Sequence, residues 1–165
     1  KTCDYYYSKG CKYALLGKEI TLEEIKEIIN TSKITSMVEV IGLPSVAFSK
    51  RKLITNFYTD LGKTPKESIL VDEKVTKEKY IVNEDSNGTS FFLDKVVNGT
   101  SIIKDLYEVN CKYIIIREYG IEKEIFDELV RDTSDYIKNN CIDDNYIEKY
   151  KKLGDFTNFF FKKTI

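Results

Sequence analysis

The sequence predicts an α/β protein built from parallel β-α units, and three observations carry that prediction. Short β-rich runs alternate with amphipathic helical segments along the chain. One run, Lys112-Tyr113-Ile114-Ile115-Ile116-Arg117, has the unbroken apolar centre of a strand covered on both faces. The composition is 42% apolar and 32% charged over 165 residues, which is globular. A chain of that length forms one domain by default and buries roughly 70% of the surface its unfolded form exposes.

The first unit opens with the strand-like Cys11-Lys12-Tyr13-Ala14-Leu15-Leu16. Thr21 followed by Glu24 then makes a capping box, so a helix is predicted from about Leu22 to Asn30, burying Leu22, Ile25, Ile28 and Ile29. A second unit follows in kind: a strand Met37-Val38-Glu39-Val40-Ile41-Gly42, then a helix N-capped by Ser49, carrying Leu53, Ile54, Phe57 and Leu61 and ending at Gly62. Residues 63–79 read as a polar excursion with a short strand at Ser68-Ile69-Leu70-Val71. Lys79-Tyr80-Ile81-Val82 and Thr89-Ser90-Phe91-Phe92-Leu93 flank an Asn-Gly pair and predict a hairpin. Thr100 to Asn110 reads as a helix feeding the apolar strand. A longer helix, about Glu122 to Asn139, turns Ile125, Leu129, Val130, Tyr136 and Ile137 inwards, and a shorter one follows Asp143. A closed β/α barrel takes eight units in about 250 residues, and only three or four are legible here. The chain is therefore a piece of such a barrel or an open sheet.

Several function classes fall away on composition. With 26 basic and 27 acidic side chains, net −1, no overall field draws the protein to nucleic acid or an anionic membrane, although a local basic patch stays open. No apolar run reaches the ~18 residues of a membrane helix, and Lys1-Thr2-Cys3-Asp4-Tyr5 lacks a signal-peptide core, so a soluble cytoplasmic protein is expected. There is no histidine, which removes Ser-His-Asp and Cys-His mechanisms. Cys3, Cys11, Cys111 and Cys141 form no C-x-x-C pair and read as free, buried thiols that pack as small hydrophobes.

Four segments in order resemble the peptidase U32 family. They are the strand, Gly17-Lys18-Glu19 triplet and Leu-x-Glu-Ile helix of residues 10–28; Phe48-Ser49-Lys50-Arg51-Lys52-Leu53-Ile54-Thr55-Asn56-Phe57-Tyr58; Tyr80 to Thr89 with its acidic turn and Gly-Thr; and Gly154-Asp155-Phe156 with Phe159 to Thr164. The resemblance implies a TIM-type (β/α) barrel, of which residues 1–165 form roughly the carboxy-terminal half as one domain, beginning in the helix before a middle strand. It implies a collagenase-like peptidase or its remnant. It also implies an alternative, an accessory subunit for hydroxylation of tRNA or rRNA bases. Where the family carries a His-Gly, this chain reads Val40-Ile41-Gly42. Members holding an iron-sulfur cluster place cysteines after the Ser-x-Arg element, and residues 63–79 have none. No cofactor and no metal is therefore expected.

The candidate site residues are Glu19, Ser49, Arg51 and Arg117. Glu19, at the carboxyl end of a strand, is either a general base or substrate-orienting carboxylate, or a helix-start residue favoured by the dipole. Lys18 beside it replaces a common family arginine and weakens any bidentate clamp. Ser49 caps a helix, and Arg51 forks onto an anion at that helix end or joins Lys50 and Lys52 in a solvated basic turn. Arg117, with Glu118, ends the apolar strand and points into a barrel mouth or forms a structural ion pair. Tyr5 to Tyr7 and Phe159 to Phe161 are packing residues or base-stacking platforms. Asn87-Gly88-Thr89 and Asn98-Gly99-Thr100 fit the glycosylation pattern but read as turns and a helix cap. The expected partners are a peptide or RNA substrate and a chain completing the barrel, such as a second U32-type protein.

Overall fold

Hydrogen bonding at Thr21 starts the first β-α unit as the spacing predicts. In the computed structural model, which describes residues 1–75, 77–139 and 144–154, the Thr21 hydroxyl accepts the Glu24 amide at 3.3 Å and the Glu24 carboxylate accepts the Thr21 amide at 2.7 Å. The helix so capped, α2 (Leu22–Thr31), follows α1 (Thr2–Ser8) and β1 (Tyr13–Leu15) and leads into β2 (Thr35–Gly42). β1 lies parallel to β2, with Tyr13 opposite Thr35 and Leu15 opposite Met37. Alternation along β2 buries Ser36, Val38 and Val40 on one face, and Ile41 is fully buried beyond them. Ile25 of α2 joins that core, and each such aliphatic side chain contributes roughly 1.5–3 kcal/mol.

After Gly42 the chain enters a second unit, Leu43–Val96. It contains β3 (Ser45–Ser49), α3 (Leu53–Asp60), β4 (Ser68–Asp72), β5 (Lys79–Asp85) and β6 (Gly88–Leu93). Its sheet is antiparallel in the order β3-β6-β5-β4. The reading of β2 and α3 as a repeat of the first β-α unit is therefore corrected: α3 belongs to an antiparallel sheet, because Ser45–Ser49 is itself a strand pairing with β6. That strand is short and has no local signal, so only its partner reveals it. The hairpin and β4 form where expected, but the two residues between paired Asp85 and Gly88 are Ser86 and Asn87. Asp85 Oδ1 accepts the amides of Asn87 at 2.8 Å and Gly88 at 3.2 Å. Gly88 is glycine because a Cβ there would lie 2.1 Å from the Ser49 carbonyl oxygen, at φ +145°.

The chain returns to the first unit at β7 (Val97–Asn98), and a 3-10 turn leads into α4 (Ile103–Glu108), β8 (Tyr113–Ile116), α5 (Lys123–Asn139) and α6 (Asp144–Tyr150). β8 lies parallel to β2, and β7 pairs antiparallel with β2 at Ile41 and Gly42. The first sheet thus has three parallel strands, β1, β2 and β8, with one antiparallel addition. The fold is mixed α/β, and no barrel closes among the described residues. Nor is β8 covered on both faces: Tyr113 is exposed and its three isoleucines are half-buried. Val130, read as inward, is exposed, while Leu129 beside it is fully buried.

Helix α6 is pinned by polar bonds to α5 and to Asn98, two of them buried. Tyr146, 1% exposed, meets the Thr133 hydroxyl at 2.6 Å, and burial pushes its phenol up to about 12. Asp132 accepts from Lys149 Nζ at 2.5 Å and from the Tyr150 phenol at 2.7 Å, which together hold its carboxyl below the usual range. Asn98 Nδ2 donates to the Tyr150 carbonyl at 2.7 Å, and Asn98 Oδ1 accepts the Thr100 amide at 3.1 Å. These bonds make Asn98-Gly99-Thr100 a buried turn, as read from the sequence.

Candidate functional site

In the first unit, Glu39 stands alone as a charge within an apolar strand. Its neighbours Val38 and Val40 point into the core, so alternation directs Glu39 to the opposite face of β2. Lys18, in the loop after β1, and Arg117, the residue after β8, converge on it. Lys18 Nζ lies 2.6 Å from Glu39 Oε1, and Arg117 Nε lies 2.6 Å from Glu39 Oε2. The Glu39 side chain is only 6% exposed, against 28% for Lys18 and 50% for Arg117. Gly42 gives the arginine room: a Cβ there would come within 3.1 Å of both Arg117 Cβ and Glu39 Oε1.

All three groups sit towards the carboxyl ends of parallel strands, the edge where α/β proteins bind ligands. One carboxylate aligns two cations side by side, and each keeps donors to spare. Among the described residues the Arg117 side chain bonds only through Nε, leaving its Nη edge open to a planar oxyanion.

Of the residues expected from sequence, Arg117 alone enters this cluster. Glu19 is exposed, forms no ion pair among the described residues, and folds back over Gly17, where a Cβ would meet its Oε2 at 2.4 Å. Glu118 is exposed. Glu39 is not among the residues expected from sequence, although an acidic residue in the middle of Met37-Val38-Glu39-Val40-Ile41 is the signal that marks it. Lys18, discounted as a clamp, holds one side of it.

Ser49 and Arg51 belong to the second unit, where the Ser49 hydroxyl accepts the Arg51 amide at 3.2 Å. Ser49 is therefore not the N-cap of α3. That role passes to the hairpin: Glu84 accepts the amides of Ile54 at 2.8 Å and Thr55 at 3.3 Å and the Thr55 hydroxyl, while the Thr89 hydroxyl accepts the Leu53 amide at 3.0 Å. The single Thr89 proton is shared between the Arg51 carbonyl at 2.8 Å and Glu84 Oε2 at 3.1 Å. Burial works to raise the Glu84 carboxyl, but the bonds from Thr55, Ile54 and Thr89 outweigh it and hold the group below its ordinary value. An external anion at this helix end, one reading of Ser49 and Arg51, is excluded because the amides are taken. Arg51 remains exposed.

Tyr5, Tyr6 and Tyr7 are exposed on α1; Phe159 to Phe161 lie outside the described residues, as does Cys141. Among the described residues no three Cys, Asp or Glu side chains converge as a metal site, and Cys3, Cys11 and Cys111 are free thiols but not buried as expected, Cys11 being exposed and the other two half-buried. The donors that an iron-sulfur cluster needs are thus not gathered there. No described helix is long and apolar enough to cross a membrane.

The family model for peptidase family U32 matches residues 1–158. Among curated proteins, tRNA hydroxylation protein P2 of Bacillus subtilis (strain 168) is 32% identical over 62 residues, which is 38% of this chain and 20% of that protein. The match therefore spans a fifth of the relative's length. No solved structure matches the chain.

Proposed function

The chain belongs to peptidase family U32, and from that premise we propose that it serves tRNA hydroxylation as an accessory subunit without an iron-sulfur cluster of its own, rather than as a peptidase. The carrying observation is its likeness to a protein whose name assigns it to tRNA hydroxylation. Peptide hydrolysis needs an activated nucleophile or a metal-activated water, and the chain has no histidine to activate one. Both Glu39 oxygens already accept hydrogen bonds from cations, so the arrangement suits holding an oxyanion better than taking a proton. In this reading Lys18 and Arg117 contact RNA and Glu39 positions them. Glu19 orients substrate, and the Ser49–Arg51 turn adds a separate basic contact.

The three parallel strands are read as part of a β/α barrel. Both outer strands, β1 and β8, keep an edge unpaired among the described residues, and parallel sheets are normally covered. A partner chain, a second U32-type protein, supplies the further strands, and the setting is cytoplasmic.

The test is nucleoside mass spectrometry of tRNA from cells lacking this protein. Loss of a hydroxylated nucleoside, restored by the wild-type gene and not by Arg117→Ala, is the expected result. Unchanged tRNA, together with gelatin or casein cleavage by the purified protein, would establish the peptidase reading instead.

A further inference from the structure

The antiparallel sheet of the second unit has two edges, β3 and β4, and they differ. β3 follows Pro44 and is bulged between Ser45 and Ala47, and a bulge is one of the devices that keep an edge strand from pairing with another chain. β4 (Ser68–Asp72) contains no proline and no basic residue, and its pairing with β5 runs without a register shift. Leu70 at its centre is 60% exposed. We propose that β4 pairs antiparallel with β4 of a second copy of this chain, joining two four-stranded sheets into one.

Backbone geometry identifies the groups available for that pairing. The Glu84 amide donates to the Glu67 carbonyl at 2.9 Å, and the Glu73 amide donates to the Glu78 carbonyl at 2.8 Å. Both bonds join directly opposed residues in the β4–β5 register, so residues 67, 69, 71 and 73 turn their amides and carbonyls towards β5. Ser68, Leu70 and Asp72 turn theirs outwards, where no other strand meets them among the described residues.

Charge selects the register. A two-fold axis through Leu70 sets Lys66 against the second copy's Lys74 and Glu67 against its Glu73, and like charges directly opposed repel. An axis through Ile69 instead sets Lys66 against the second copy's Asp72, and symmetry makes that contact twice. Neither Lys66 nor Asp72 has an ion-pair partner among the described residues. In this register Ser68 and Leu70 form the hydrogen-bonded pairs, and Ile69 meets its own copy at the closely spaced pair between them. Ile69 lies opposite the buried Val82, so the contact continues an apolar row of the sheet. Helix α3 packs chiefly on β5 and β6 rather than on the outer strand. Because both copies use β4, the contact closes at two chains.

Sedimentation velocity of the full chain over a concentration series tests the contact. The 19.2 kDa chain should reach twice that mass as concentration rises, and hydrogen exchange in residues 66–72 should slow in step. Lys66→Asp and Asp72→Lys each oppose like charges twice and should weaken dimerisation about tenfold. The variant carrying both changes should regain it. Val46→Lys, on the β3 edge, should dimerise as wild type. All these positions are exposed, and circular dichroism checks that each variant folds. A monomer at every concentration overturns the proposal and leaves the edge to an extended segment of another protein. A dimer that neither single variant weakens, or that the double variant fails to restore, also overturns it and moves the interface elsewhere. The contact is independent of the tRNA analysis, so either reading can fail without the other.

Discussion

Glu39 in the first unit and Glu84 in the second are both held firmly, but by different means. Glu39 is gripped by two long cationic side chains, Lys18 and Arg117, whose own exposure leaves them in reach of solvent. Glu84 is gripped by backbone amides and hydroxyls at the start of α3. Helix-start amides have no intrahelical partner, so Glu84 satisfies a demand the fold itself creates. Lys18 and Arg117 carry more donors than Glu39 can use and can share them with a ligand. The same residue type aligns two cations in one setting and caps a helix in the other, and its partners tell the two apart.

The largest expected effect comes from removing both cations. Lys18→Ala with Arg117→Ala leaves a charge that is 6% exposed without a counterion. Stripping the partner from a buried charge costs about 3–5 kcal/mol, and the solvent access of these cations sets the expectation near the lower figure in urea unfolding. Adding Glu39→Gln to that double variant should restore most of the loss.

A smaller effect is expected at Glu84. Glu84→Ala should cost about 1–2 kcal/mol, the range of a lost helix cap, with the hairpin intact by circular dichroism. Its carboxyl is lowered from an ordinary 4.5 in the folded state, so its contribution is complete above pH 4.5 and is lost as pH falls through the lowered folded value. Wild type and Glu84→Gln should therefore converge in stability between pH 4.5 and strongly acid solution. A constant gap would show that the cap does not depend on charge.

Glu39→Gln alone should cost least, about 1 kcal/mol or below, because Lys18 and Arg117 regain water. A loss equal to that of the cation-free variant would break the comparison and make Glu39 as structural as Glu84.

Much of this was legible locally. The capping box at Thr21, the β4 strand, the hairpin and the long helix α5 are written in residues three to eight apart, and all formed. The errors fell where neighbours in space are distant in sequence. β3 becomes a strand only through β6, and the cap expected at Ser49 is provided by Glu84. Val130 fits a helical stripe as well as Leu129 does, but only packing decides which of the two is covered. Arg117 could be placed at a strand end, yet its partner could not.

The sequence by itself determined most element types, the family and the basic and acidic residues at strand ends, because propensity, capping and periodicity act within a few residues. Only the tertiary structure decided that Glu39 joins Arg117 across 78 positions and that Glu84 caps a helix 30 positions away. Strand register sets these meetings, and register comes from the cooperative packing of whole sheets.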